Sequence, residues 1–351
     1  MYAHNCWYVA GWDHDVQGDR LHAIRIADEP VVVYRRQDGG LVALEDRCRH
    51  RFAPLSLGCR EGDDLRCMYH GFKFAPSGRC IEIPGESTIP ELARVRSYPV
   101  ESRHSWIWVW IGDPAQADAA LIPPAAGLDD KRWCLRHGHL DYAAPYELIN
   151  DNLLDFSHLA YVHRNSFGAG PAFAMERPRV TRLPRGVRVD RWMRPGASNV
   201  SMRYDRPAEE LAFYSSYDFL VPGVLLMFSG VYPAGTRAAT GEGMPPLEQA
   251  ISGSFTSQAV TPMTADSARY FFSWGPNAGE GADEQADAMI KVAHQAFAED
   301  KVIIEAQHRV LRAGPHPAPL PTSADRAVLM FQRLMRSMMP DSGPRKEAVS
   351  S

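Results

Sequence analysis

Residues 48–70 read CRHRFAPLSLGCREGDDLRCMYH, with Cys48 and His50 two apart and Cys67 and His70 three apart. Each short loop carries one thiol and one imidazole. That pairing suits a [2Fe-2S] cluster in which histidines replace cysteines on one iron, because mixed ligation of this kind raises the reduction potential. A Cys2His2 zinc site uses the same ligand types but places the cysteines as one pair and the histidines as the other. Pro54, Gly58 and Gly71 supply tight turns that let backbone amides approach the cluster sulfurs. The ligands are expected at loop tips, and the chain reads as a redox protein.

Around this stretch, residues 1 to about 115 break into short β-segments: VVVYRR, LVALEDR, RCIEIP, SYPVES and WIWVWIG, with turns at Asp38-Gly39-Gly40 and Ser77-Gly78. The Trp106–Trp110 strand is apolar on both faces, and the GDPAQADAALIPPAAGL run after it reads as a linker. A first, all-β domain of residues 1–118 is expected, then a mixed domain of residues 119–340 and a polar tail of 341–351. In the second domain we expect a helix near 146–163, strands near 179–193, 213–229, 249–260 and 267–274, and a long helix over about 284–312. The class is α+β.

With 351 residues and 45% hydrophobic side chains, the chain can bury a core in each of two domains. Its net charge of −4 gives no basic stripe, so nucleic acid is not an expected partner. No signal peptide pattern or run of about 18 apolar residues occurs, which points to the cytoplasm rather than a membrane. Cys6, Cys59, Cys80 and Cys134 are expected as buried free thiols.

A second constellation lies in NDNLLDFSHLAYVH, residues 150–163. On a continuous helix Asp151, Asp155 and His158 share a face, whereas His163 sits about 140° from His158. For the two histidines to hold one metal, the helix must widen into a π-type turn or end between them. Two imidazoles and a carboxylate form the facial triad of non-haem iron(II) oxygenases. The carboxylate is sought on the long helix, where Ala293, Phe297, Ile304 and Leu311 make an apolar stripe with Asp300 at its centre and Glu299 on its flank. A core-facing acid needs a partner, either a metal or an arginine.

With these motifs the chain resembles the oxygenase components of Rieske non-haem iron oxygenases, especially the vanillate O-demethylase, dicamba O-demethylase and toluenesulfonate methyl-monooxygenase group. The likeness runs from NCWYVAGW through the cluster loops, IWVWIGDPAQAD and DNLLDFSHLAYVH to AFAEDKVIIEA. It implies a Rieske domain followed by a catalytic domain with a curved antiparallel sheet flanked by helices. It implies Cys48, His50, Cys67 and His70 as cluster ligands and His158, His163 and Asp300 as iron ligands. Asp155 matches the acid that links a cluster histidine to an iron histidine, and Asn152 a polar residue near the iron. Ala53 and Tyr69 stand where respiratory Rieske proteins carry an extra cysteine pair, which favours the low-potential oxygenase type.

The implied reaction is hydroxylation by dioxygen of a methoxy or methyl group on an aromatic carboxylate or sulfonate, O-demethylation foremost. Electrons would come from NAD(P)H through a flavin and iron–sulfur reductase, and the assembly would be a homotrimer in which Asp155 bridges His70 of one subunit and His158 of the next. A ring-dihydroxylating dioxygenase and a non-catalytic Rieske electron carrier are the alternatives. The pocket is expected between residues 165 and 300, with Phe167, Phe213, Phe219, Met227, Phe228, Phe255 and Trp274 as candidate walls. Ser257, Gln258, Arg203 and Lys291 are candidate anchors for an anion. The histidine that dicamba-type pockets use on the strand spanning Phe255 to Val260 is absent.

Overall fold

The computed structural model describes residues 1–167, 177–193, 210–241 and 243–339. Its first part is three small antiparallel sheets. One joins β1 (Cys6–Trp12), β10 (Val100–Arg103) and β11 (Trp106–Ile111) in the order β1-β11-β10. Every residue of β1 and β11 is buried, which is why both strands are apolar on each face. A second sheet holds β2 (His22–Ile26), β3 (Glu29–Arg35), β4 (Leu41–Glu45) and β9 (Ser97–Tyr98). The third, made of β5 (Cys59–Glu61), β6 (Asp64–Arg66), β7 (Lys73–Phe74) and β8 (Cys80–Glu82), carries the two cysteine–histidine loops at one end.

The second part is one seven-stranded antiparallel sheet ordered β12-β18-β17-β16-β15-β14-β13. Its strands are β12 (Arg136–Tyr142), β13 (Arg179–Leu183), β14 (Gly186–Met193), β15 (Leu211–Leu220), β16 (Val224–Pro233), β17 (Ser252–Thr264) and β18 (Ser267–Pro276). Helices α1 (Tyr146–Leu154), α2 (Leu159–Val162), α3 (Ala282–Arg312) and α4 (Arg326–Ser337) flank it. Helix α3 packs on β18 and β12, and α1 on β17, α3 and α4. The two parts share one hydrophobic core, and Thr261 Oγ1 of β17 donates to the Val9 carbonyl of β1 at 2.6 Å. An α+β chain with an all-β first part and a helix-flanked antiparallel sheet is therefore what the structure holds.

Several expectations change in detail. The helix over 146–163 is two helices, because the chain leaves helical geometry at Asp155 (φ −122°, ψ 96°) and passes through a single 3-10 turn at Phe156–His158. Asp151, Asp155 and His158 therefore do not share a helix face. Instead Asp151 turns to α4, accepting from Gln332 Nε2. The presumed linker is an ordered strap: Asp113 and Asp118 cap two 3-10 turns, and Trp7 Nε1 donates to the Asp118 carbonyl at 2.8 Å. Cys6 and Cys80 are buried free thiols, whereas Cys59 and Cys134 are only half-buried. Strand β12 and helix α4 were not anticipated. RHGHLDY lacks apolar alternation because it is an edge strand, whereas α4 does carry a helical apolar stripe, Ala327, Val328, Phe331 and Met335, behind the capped 3-10 turn of Thr322–Asp325. The tail beyond residue 339 lies outside the described residues.

Candidate metal centres and substrate cavity

The two cluster loops are built alike. In the first, the Cys48 amide donates to the Ala53 carbonyl and the Phe52 amide to the Cys48 carbonyl, both at 2.8 Å. In the second, Cys67 donates to Phe72 at 2.8 Å and Gly71 to Cys67 at 3.0 Å. Each loop thus closes with a left-handed residue four positions after its cysteine, Phe52 at φ +59° and Gly71 at φ +76°. Glycine adopts that conformation freely, whereas phenylalanine does so at a cost. The missing Cβ of Gly58 serves packing instead, since it would lie 2.1 Å from the Arg66 carbonyl.

This geometry brings Cys48, His50, Cys67 and His70 together. Both cysteines are buried, and the His50 and His70 rings lie 4.4 Å apart at the surface, His50 stacked on Phe72. Burial pushes the Cys48 thiol up to about 11, so thiolates here need a cation beside them. Two buried sulfurs beneath two outer imidazoles fit a [2Fe-2S] cluster whose histidine side faces out.

The second centre forms where α1, the 3-10 turn, α2 and α3 converge. Ligand atoms of His158, His163 and Asp300 all lie within 4.8 Å of one another. Asp300 Oδ1 is 3.5 Å from His158 Nε2 and 3.2 Å from His163 Nε2. The opposite ring nitrogens are already engaged: His158 Nδ1 donates to the Asp155 carbonyl at 2.6 Å, and His163 Nδ1 to the Glu299 carboxylate at 3.0 Å. Those acceptors carry no protons, so each Nε2 of a neutral ring aims a lone pair at Asp300. Lone pairs converge on a carboxylate only with a proton or a cation between them. Burial keeps His158 below its usual range; it pulls His163 the same way, but Asp300 and then Glu299 outweigh it and leave that ring raised. The donor set fits a divalent iron held by two imidazoles and one carboxylate.

The helix break explains how two histidines five residues apart reach one point. His163 follows the end of α2 with φ −99° and ψ 33°, so the helix ends at His163 rather than widening. Asn152 Nδ2 donates to Asp300 Oδ1 at 3.1 Å, which places that side chain against the triad. Asp155 lies beside it too, but its carboxylate accepts from the amide and hydroxyl of Ser157. Glu299 was read only as flanking the stripe. The adjacency of two acids at 299–300 was its one signal in the sequence.

The triad lies at the edge of a cavity with aromatic walls, including Phe156, Phe167, Phe213 and Trp274. Of the expected wall residues, Phe167, Phe213, Met227 and Trp274 line it, while Phe219, Phe228 and Phe255 pack in the core. Gln258 also lines it. Ser257 faces the other side of the sheet and bonds to Ala126, Lys291 is exposed on α3 outside the lining, and Arg203 lies outside the described residues. The polar wall is a feature missed from the sequence. Ser215, Ser229 and Ser254 are direct cross-strand neighbours on β15, β16 and β17, all in the lining. Their spacing is about 4.8 Å per strand, and none of the three hydroxyls is hydrogen-bonded among the described residues. No lysine or arginine is among the described lining residues.

Comparison with known proteins accords with these centres. Residues 6–99 match the Rieske [2Fe-2S] domain and residues 142–340 the vanillate O-demethylase oxygenase C-terminal domain. The chain is 37% identical to the toluene-4-sulfonate monooxygenase system iron-sulfur subunit of Comamonas testosteroni, over 93% of each chain. It is 33% identical to the dicamba O-demethylase oxygenase component of Stenotrophomonas maltophilia, over 95% of this chain and 96% of the relative. The crystal structure of dicamba monooxygenase bound to dicamba superposes with a TM-score of 0.83 at 31% identity, covering 96% of this chain and 98% of that one. This chain belongs to the Rieske non-haem iron oxygenases, as the terminal oxygenase component of a monooxygenase system with a [2Fe-2S] and a mononuclear iron centre.

Proposed function

We propose that the chain hydroxylates a methoxy or methyl carbon of a substituted aromatic compound, with O-demethylation foremost. The carrying observation is the convergence of His158, His163 and Asp300 at the edge of a cavity whose other walls are aromatic rings and a row of serines. When bound, the cluster relays single electrons and the ferrous ion activates dioxygen. One oxygen atom enters the C–H bond and the other leaves as water, using two electrons and two protons. A hydroxylated methoxy group then collapses to a phenol and formaldehyde; an aryl methyl stays as the alcohol.

The chain's own residues do the rest. The aromatic walls hold the ring and keep bulk water out. Ser215, Ser229 and Ser254 offer donors to oxygen atoms at the substrate's polar end. Thr256 Oγ1 already accepts from Gln258 Nε2, and Gln258 Oε1 from Tyr270, so the Thr256 proton remains for the same task. A carboxylate or sulfonate there is held by hydroxyls in this reading, as befits a weakly basic, delocalised anion such as a sulfonate. The curated relatives named for toluene-4-sulfonate and dicamba act on aromatic acids, which supports this class.

The functional reading extends to assembly. The domains run 1–118 and 119–340, with a tail of 341–351. A reductase carrying flavin and an iron–sulfur centre draws on NAD(P)H, and the chain works in the cytoplasm as a homotrimer. Phe52, Leu57, Met68 and Tyr69 stand exposed in the segment 48–70 that carries the cluster ligands, and Tyr161, Val302 and Ile303 stand exposed on α2 and α3, the helices next to the iron ligands. Two apolar surfaces, one at each metal centre, suit head-to-tail docking of copies. Among the described residues no helix is long and apolar enough to cross a membrane.

The test is a panel of methoxybenzoates and methylarene sulfonates, assayed with a surrogate reductase and followed by formaldehyde and product mass. Formaldehyde or benzylic alcohol supports the reading. A cis-diol product, or electron transfer without any oxidised product, overturns it.

A further inference from the structure

We propose that Glu299 is a positioning residue for the mononuclear metal: it fixes His163 with Nε2 facing the metal and strengthens that nitrogen as a ligand. The inference rests on the assignment of His158, His163 and Asp300 as iron ligands. Neighbouring carboxylates of α3 hold the His163 ring from both sides, Asp300 Oδ1 at 3.2 Å from Nε2 and Glu299 Oε2 at 3.0 Å from Nδ1. His163 is 1% exposed, so no solvent molecule competes for Nδ1.

Glu299 is itself held. Ser166 Oγ donates to Oε2 at 2.6 Å and Gln295 Nε2 to Oε1 at 3.2 Å, while Gln295 also donates to the Asn165 carbonyl at 3.1 Å. This network joins one turn of α3 to the turn that follows α2, the segment that carries His163 away from helical geometry. It thereby replaces the helix as the source of His163's orientation.

The two iron histidines consequently differ. His158 Nδ1 meets a neutral main-chain carbonyl, and His163 Nδ1 meets a carboxylate. A carboxylate acceptor draws the Nδ1 proton outward and makes Nε2 the more basic donor, and such partners typically change metal affinity ten- to a hundred-fold. The strong ligand is thus His163, and the site keeps its metal through Glu299.

The experiment uses the cluster-loaded full chain, stripped of mononuclear metal and titrated anaerobically with Co(II), whose visible ligand-field bands report coordination; the Rieske absorption reports folding. Glu299→Ala is expected to weaken Co(II) binding about ten- to a hundred-fold and shift its bands while the Rieske absorption stays. Glu299→Gln, whose amide oxygen still accepts from Nδ1, is expected to recover the band positions and part of the affinity. Unchanged affinity and bands in Glu299→Ala overturn the proposal, as does a Glu299→Gln variant no better than alanine. His163→Ala is the control: if it binds Co(II) as the unaltered chain does, the ligand assignment itself falls.

Discussion

The main-chain carbonyl of Asp155, rather than its carboxylate, meets Nδ1 of His158, at 2.6 Å. The carboxylate instead caps the 3-10 turn through Ser157. Asp155 therefore orients the His158 ring by its backbone, which every residue could do, while both carboxylate oxygens accept from Ser157. That division separates the observed backbone contact from the bridging role proposed for the carboxylate.

Asp155→Asn should consequently fold and hold both metals, because asparagine caps helical turns as well as aspartate does, within about 1 kcal/mol. Turnover with reductase should nonetheless fall about tenfold or more, since a neutral amide cannot bridge two imidazoles as a carboxylate does. Steady-state oxidation together with metal content checks this. Undiminished turnover would count against the bridging role.

Why the sequence told so much of the centre and so little of the cavity has a physical explanation. Cys48, His50, Cys67 and His70 lie on local loops whose spacing is their geometry, and Asp300 was legible because an acid within an apolar helix stripe is expensive without a partner. The end of the helix before His163 was foreseen, as a necessity for His158 and His163 to share a metal, whereas the break at Asp155 was not, since the residue that caps the next turn reads equally well as a helical acid. The serine row depends on the register between β15, β16 and β17, and register is a pairing property that single-strand patterns do not carry. Glu299 was read only as a flank of that stripe, and its contact with His163, 136 residues away, was not legible.

Ser229 sits at the centre of that row, so Ser229→Ala should remove one donor from the substrate's polar end. The expected result is a KM raised about five- to tenfold, near 1 kcal/mol for one hydrogen bond, with kcat within about twofold. Methylarenes lacking the polar group should be unaffected. An equal loss for both substrate types would place Ser229 in packing alone.

Asp151 supplies a pH prediction. It is half-buried against α4, and burial raises it to about 6, more than the Gln332 hydrogen bond lowers it. The fold therefore prefers the protonated form, and its charged form costs stability that is absent below about pH 4 and fully present above about pH 6. Asp151→Asn should raise stability by about 1–2 kcal/mol at pH 8 and change little at pH 4. Thermal melts at both values decide it; a gap equal at the two would contradict the account.

Phe52 occupies the left-handed position that Gly71 fills in the twin loop, yet its ring is 64% exposed. Phe52→Gly should leave stability within about 0.5 kcal/mol, as relief of the strained backbone offsets the entropy of glycine. Phe52→Ala keeps the strain and loses the ring. Both should slow electron delivery between subunits if the ring serves docking, measured as cluster oxidation after mixing with dioxygen and substrate. Unaltered rates in both variants would show the ring idle.

The most direct test of the central claim is anomalous diffraction at the iron edge from crystals of iron-reconstituted protein. Two sites per chain are expected, a cluster among Cys48, His50, Cys67 and His70 and a single iron between His158, His163 and Asp300, with about three iron atoms in all. A map with the cluster peak but none at the second position, or with that iron bound elsewhere, would contradict it.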